Sequence, residues 1–132
     1  MTALLMLVLA VDLSTIRNEP NPERRSDLAI ENANTALDQA KDAASAGNGA
    51  KLQTALDEIG DSVELAYESL AGEPHRNQRA FKKAEQRTHL LERRLDSFRD
   101  LVDADDRIKV DKIRDRVAVA HDNLLNGIMK KK

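Results

Sequence analysis

Residues 51–72 read KLQTALDEIGDSVELAYESLAG, and within them Leu52, Leu56, Ile59, Val63, Ala66 and Leu70 recur at steps of four and three. That spacing keeps every apolar side chain on one side of a helix, whereas a half-buried strand needs strict alternation. The helix is expected to stop at Gly72, with Pro74 beyond it. Similar stripes flank it in the chain. Ile30, Ala33, Leu37, Ala40 and Ala44 come before; Phe81, Ala84, Thr88, Leu91, Leu95, Phe98 and Val102 come after; Val110, Ile113, Val117, Ala120 and Leu124 form the last.

Three breaks separate the four stripes. Gly47-Asn48-Gly49 supplies the positive φ that a helix end and a tight reversal need. The second break runs from Gly72 to about His75. The third is Asp103-Ala104-Asp105-Asp106, with acids where the start of a helix dipole favours them, and Lys130-Lys131-Lys132 place cations at the far end. Pro22 fits a first helical turn with Asn21 as its cap. Breaks of roughly two to five residues place each helix antiparallel beside the next. The predicted fold is all-α: an up-down-up-down antiparallel four-helix bundle, its period near 3.5 implying a left-handed supercoil. Stacked hairpins of the tetratricopeptide kind are the competitor, but their ~34-residue repeats use shorter helices.

The flanks of the stripes carry a further expectation. Ala29, Ala36 and Ala43 recur every seventh residue, and Ala55, Ser62 and Ser69 occupy the equivalent places on the second long helix. Small residues facing small ones predict a tight hairpin between the first two long helices, with the bulkier third and fourth farther apart.

The 132 residues suit one domain, and 41% hydrophobic with 33% charged residues is the balance of a globular chain. The aromatics are Tyr67, Phe81 and Phe98, so the core is built from aliphatic side chains and alanine. A net charge of -2 gives no global attraction to nucleic acid, and stacking aromatics are too few for single strands. Nucleic acid is not an expected partner. Without cysteine there is no disulfide, thiolate zinc site or Cys nucleophile.

Residues 3–9 form an apolar run, too short for a transmembrane span of ~20 residues. Val8-Leu9-Ala10 suits cleavage by a signal peptidase before Val11, although no Lys or Arg precedes it. Residues 1–10 therefore read as the remnant of a signal peptide whose start lies upstream. The alternative is a segment folded over one end of the bundle. Residues 11–22 read as a polar tether with two prolines and 23–132 as the bundle domain, exported to the periplasm or outside the cell.

Familiar bundle chemistries lack their residues. A di-iron site needs Glu-x-x-His on paired helices, and none occurs; Glu85 precedes His89 by four, and His89 falls one residue past the stripe, facing outward. His75, His89 and His121 are not followed by the Lys and Gly of a phosphotransfer helix. A haem bundle of the cytochrome b562 type needs an early Met and a late His; His121 suits the second role, but the first long helix has no Met. No Gly-x-Ser-x-Gly elbow or phosphate loop is present. The expectation is no enzyme, no catalytic residue, no metal site and no cofactor.

Charge is distributed unevenly. Arg76, Arg79, Lys82, Lys83 and Arg87 form a basic cluster suited to an anion or an acidic partner, while Asp57, Asp61, Glu64 and Glu68 make an acidic face on the preceding helix. Consecutive helices of opposite charge invite salt bridges, but heptad geometry turns the acidic face away from the bundle, toward water or a partner. An acidic face on one bundle meeting a basic end on another would also give self-association.

The apolar start, the polar tether, the alanine-rich helix, SVELAYESL at 62–70 and FKKAEQRTHLLERRLDSF at 81–98 together resemble small exported bacterial helical-bundle proteins of uncharacterised function. The resemblance implies export and the bundle, and assigns no site. The expected function is a non-catalytic exported protein acting through macromolecular contacts with a protein or anionic ligand. The alternative is a small-molecule or haem-type carrier with an apolar pocket beside His121.

Overall fold

The computed structural model describes residues 13–72 and 78–129, so the apolar run 1–10, Arg76 and Lys130 to Lys132 lie outside the described residues. All regular structure among them is helical: α1 (Leu13–Arg17), α2 (Pro22–Ser45), α3 (Gly49–Ala71), α4 (Gln78–Arg99) and α5 (Ala104–Met129). The four long helices pack into a helical bundle.

Local chemistry sets the helix ends. The Asn21 side chain accepts hydrogen bonds from the Glu23 and Arg24 N–H groups at 3.0 and 3.2 Å, with Pro22 opening the first turn of α2. Gly47 turns the chain at φ 70°, and Asn48 accepts from Lys51 N–H at 3.1 Å to start α3. Asp103 accepts from Asp106 N–H at 3.0 Å to start α5. At the end of α4, Arg107 donates to the Arg99 and Val102 carbonyls, each at 3.1 Å, satisfying groups that a helix terminus leaves open.

The stretch 11–22 is not wholly a tether. Leu13 and Ile16, three residues apart, make α1 a short amphipathic turn, and both are buried among Ile30, Leu65, Leu70, Phe81 and Leu124. Arg25 ties the connection between α1 and α2 to the bundle by donating to the Glu19 carbonyl and to Ser69 Oγ, both at 2.8 Å.

α2 and α3 form the most extensive helix pair, and all six small flank residues, Ala29, Ala36, Ala43, Ala55, Ser62 and Ser69, are buried. Asn32 crosses this seam, donating to Ser62 Oγ at 2.9 Å and Glu58 at 2.7 Å. The pair runs antiparallel, since Arg25 meets Ser69 while Asn32 meets Ser62. α4 and α5 form a second antiparallel pair, with a less extensive interface.

The expectation that each helix lies beside the next fails between α3 and α4, which touch only sparsely; α4 packs on α2, and α5 on α3. Both of these contacts are parallel: Asp27 pairs with Lys83 and Arg87 and Asp38 with Arg94, while Gly49 lies near Lys109 and Gly60 near Arg116. The chain between Ala71 and Gln78 is long enough to permit this: six residues can span up to about 20 Å, more than the ~14 Å diagonal of a bundle whose helices sit 8–10 Å apart.

Candidate functional site

The two charged surfaces read from the sequence have different fates. On α3, Arg116 of α5 reaches across Gly60 to donate to Asp61 at 2.8 Å and to Glu64 at 2.7 and 3.0 Å. A Cβ at Gly60 would stand 2.5 Å from that guanidinium, so the glycine gives Arg116 its path. The hydrogen bond to Glu64 is the main cause of a pKa for Arg116 raised above its ordinary value, and burial opposes it. Asp57 accepts from Gln53 at 2.9 Å, and Glu68 is exposed. The acidic face does not pair with the basic helix that comes after it, because α3 and α4 lie on the diagonal; two of its carboxylates are held by α5.

On α4, Lys83 and Arg87 turn to α2 and pair with Asp27 at 3.1 and 3.3 Å. Arg79 and Lys82 remain outward. Helical steps of three and four align Arg79, Lys82, Gln86, His89, Leu90, Arg93 and Ser97 on one face, and all are exposed. That face holds no carboxylate, and Arg79, Lys82 and Arg93 have no ion-pair partner among the described residues. Arg93 belongs to this row because of its register, which a reading of consecutive residues 76–87 does not reach.

Between α4 and α5 a ladder of polar contacts ends in a histidine and carboxylate centre. Arg99 donates to Asp111 at 2.5 and 3.0 Å, and Arg114 pairs with Asp96. The Arg99 hydrogen bond holds the Asp111 carboxyl below the ordinary carboxylate range, while the Asp96 hydrogen bond raises the Arg114 pKa. Farther along, His121 of α5 lies between two glutamates of α4. Its Nε2 is 2.7 Å from Glu85 Oε2 and its Nδ1 is 3.1 Å from Glu92 Oε1. The His89 ring sits 5.5 Å from that of His121, tilted by 33°. Glu92 Oε1 is buried without a hydrogen-bond donor, because its approach to His121 lacks hydrogen-bond geometry.

The sequence contained this centre in reverse order. Glu-x-x-His is absent, but His89-Leu90-Leu91-Glu92 has the same i, i+3 relation, and His121 completes it from the antiparallel neighbour. His89 faces outward, as its place beyond the stripe implies, yet its ring remains within reach of the α4–α5 seam.

No helix among the described residues is long and apolar enough to cross a membrane. Comparison with protein-family models, curated proteins and solved structures finds no match to this chain.

Proposed function

We propose that this chain is a non-catalytic, exported helical-bundle protein that acts by docking an acidic protein surface against the outer face of α4. The observation that carries this reading is the row Arg79, Lys82 and Arg93: three exposed cations, no carboxylate on their face and no internal partner among the described residues. From Arg79 to Arg93 the row spans about 21 Å at 1.5 Å per residue. Single exposed ion pairs are worth only ~0–1 kcal/mol, but a one-signed row attracts and orients an acidic surface collectively. Leu90, 60% exposed in the middle of the row, offers an apolar contact among the charges.

In this reading the long helices keep an up-down-up-down order with a left-handed supercoil, and the apolar run 3–9 belongs to a signal peptide cleaved before Val11 on export. The carrier reading is less well supported, because both ring nitrogens of His121 face carboxylates instead of an apolar hole. The test is capture of partners from the native cell envelope by the wild-type chain and by the triple variant Arg79→Glu, Lys82→Glu, Arg93→Glu. Loss of a stoichiometric acidic protein from the variant supports docking, and an unchanged set of captured proteins rejects it. Sequencing the mature N-terminus addresses export separately, since a first residue of Met1 or Thr2 rules out the cleavage.

A further inference from the structure

We propose that His89, Glu92 and His121 bind a divalent transition-metal ion of the Zn²⁺ class, with Glu85 orienting His121 from the opposite side of its ring. Glu92 and His121 belong to the α4–α5 seam, and His89 is the one ligand drawn from the outer row of α4.

In the tautomer that carries its N–H on Nε2, His121 donates to Glu85 across the shorter of its two carboxylate contacts, 2.7 Å. A neutral imidazole then leaves Nδ1 without a proton, 3.1 Å from Glu92 Oε1. That oxygen is buried and has no donor. Two acceptors at this distance repel unless a positive centre lies between them, and a buried acceptor without a donor is costly.

A metal ion satisfies both atoms. Ligands about 2.0–2.1 Å from a tetrahedral ion stand about 3.3 Å apart, close to the separation of His121 Nδ1 and Glu92 Oε1. The third donor is at hand, since ligand atoms of His89, Glu92 and His121 all lie within 4.8 Å of one another. His89 is exposed, so its ring is free to rotate inward by the remaining ångström or so. Glu85 behind Nε2 completes the carboxylate–histidine–metal arrangement that fixes a ligating tautomer. Two imidazole nitrogens and one carboxylate oxygen suit Zn²⁺, Co²⁺, Ni²⁺ or Cu²⁺; Ca²⁺ and Mg²⁺ prefer all-oxygen shells. Three protein donors leave a position for water on the exposed side.

The competing account is a doubly protonated His121 clasped by Glu85 and Glu92, in which His89 has no part. The full chain, without a histidine tag and stripped of metal by chelation, is titrated with Zn²⁺ and with Co²⁺ as a spectroscopic reporter. One ion per chain is expected, with H89A binding at least tenfold more weakly, H121A and E92Q showing no site, and E85Q retaining one ion at affinity ~10–100-fold lower. Because His89 is exposed, H89A remains informative even if H121A or E92Q fails to fold. Absence of a one-to-one site, or Zn²⁺ affinity unchanged in H89A, overturns the proposal in favour of the clasp.

Discussion

Two contacts of α5, with α4 at Gly127 and with α3 at Gly60, make different predictions for chemically identical substitutions. A Cβ built at Gly127 would lie 2.5 Å from Phe81 Cε1 and 2.8 Å from Cδ1, and Phe81 is itself 1% exposed. A rigid ring packed on all sides cannot retreat by the ångström required without shifting Leu13, Ile16 or their neighbours. Overpacking of this kind costs about 1–3 kcal/mol. Replacing glycine by alanine returns up to about 1 kcal/mol in a helix interior. Gly127→Ala should therefore lose about 1–2 kcal/mol net. At Gly60 the three atoms nearest the new Cβ all belong to the Arg116 guanidinium, the end of a flexible side chain. Its displacement weakens exposed ion pairs worth ~0–1 kcal/mol each, so Gly60→Ala should be close to neutral. Urea unfolding monitored by circular dichroism reads both, the first loss corresponding to a midpoint about 0.5–1 M lower at ordinary slopes. If Gly127→Ala is as stable as the wild type, the close approach of α5 to Phe81 is wrong.

Other substitutions test other interfaces. Ala36→Leu inserts three carbons into the α2–α3 seam, where Ala36 is 2% exposed, and should cost about 1–3 kcal/mol in thermal or urea unfolding. Thr88→Val keeps the shape of a fully buried side chain while removing a hydroxyl that has no partner, and should stabilise the fold by about 1 kcal/mol in the same assay. Asp111, held below the ordinary carboxylate range by Arg99, contributes stability above its unfolded pKa, near 3.9, that is lost as pH falls through its lower folded pKa. Carboxyl NMR should show Asp111 titrating below that reference value, and Arg99→Gln should move it upward.

The helical stripes were legible because burial tracks the helical period. Leu52, Leu56, Ile59, Val63, Leu91, Leu95, Val110 and Val117 are all buried. The small-residue seam could be read for the same reason, since Ala29, Ala36 and Ala43 share one flank. Helix adjacency could not be read across residues 72–77, because a six-residue connection reaches a diagonal neighbour as readily as an adjacent one. That single ambiguity redirected the charges: Asp61 and Glu64 are held by Arg116, and Lys83 and Arg87 by Asp27, pairs more than fifty residues apart in sequence. It left Arg79 and Lys82 outward, in a row that Arg93 shares through the register of α4 itself. Leu13 and Ile16 were obscured by their polar surroundings, two apolar residues being too few to establish a period. The histidine centre joins α4 to α5, so its three donors appear as one group only when that antiparallel register is known.

The most direct test of the central claim, that the outward cations of α4 serve a partner while its inward cations serve the fold, compares two sets of charge reversals. One carries Arg79→Glu, Lys82→Glu and Arg93→Glu; the other carries Lys83→Glu, Arg87→Glu and Arg94→Glu, which sets like charge against Asp27 and Asp38 of α2. The measurement is capture of an acidic partner from the native envelope, with urea stability determined on the same preparations. The account predicts that the first set abolishes capture at unchanged stability and that the second lowers stability. Capture retained by the first set, or equal stability in both, would contradict it.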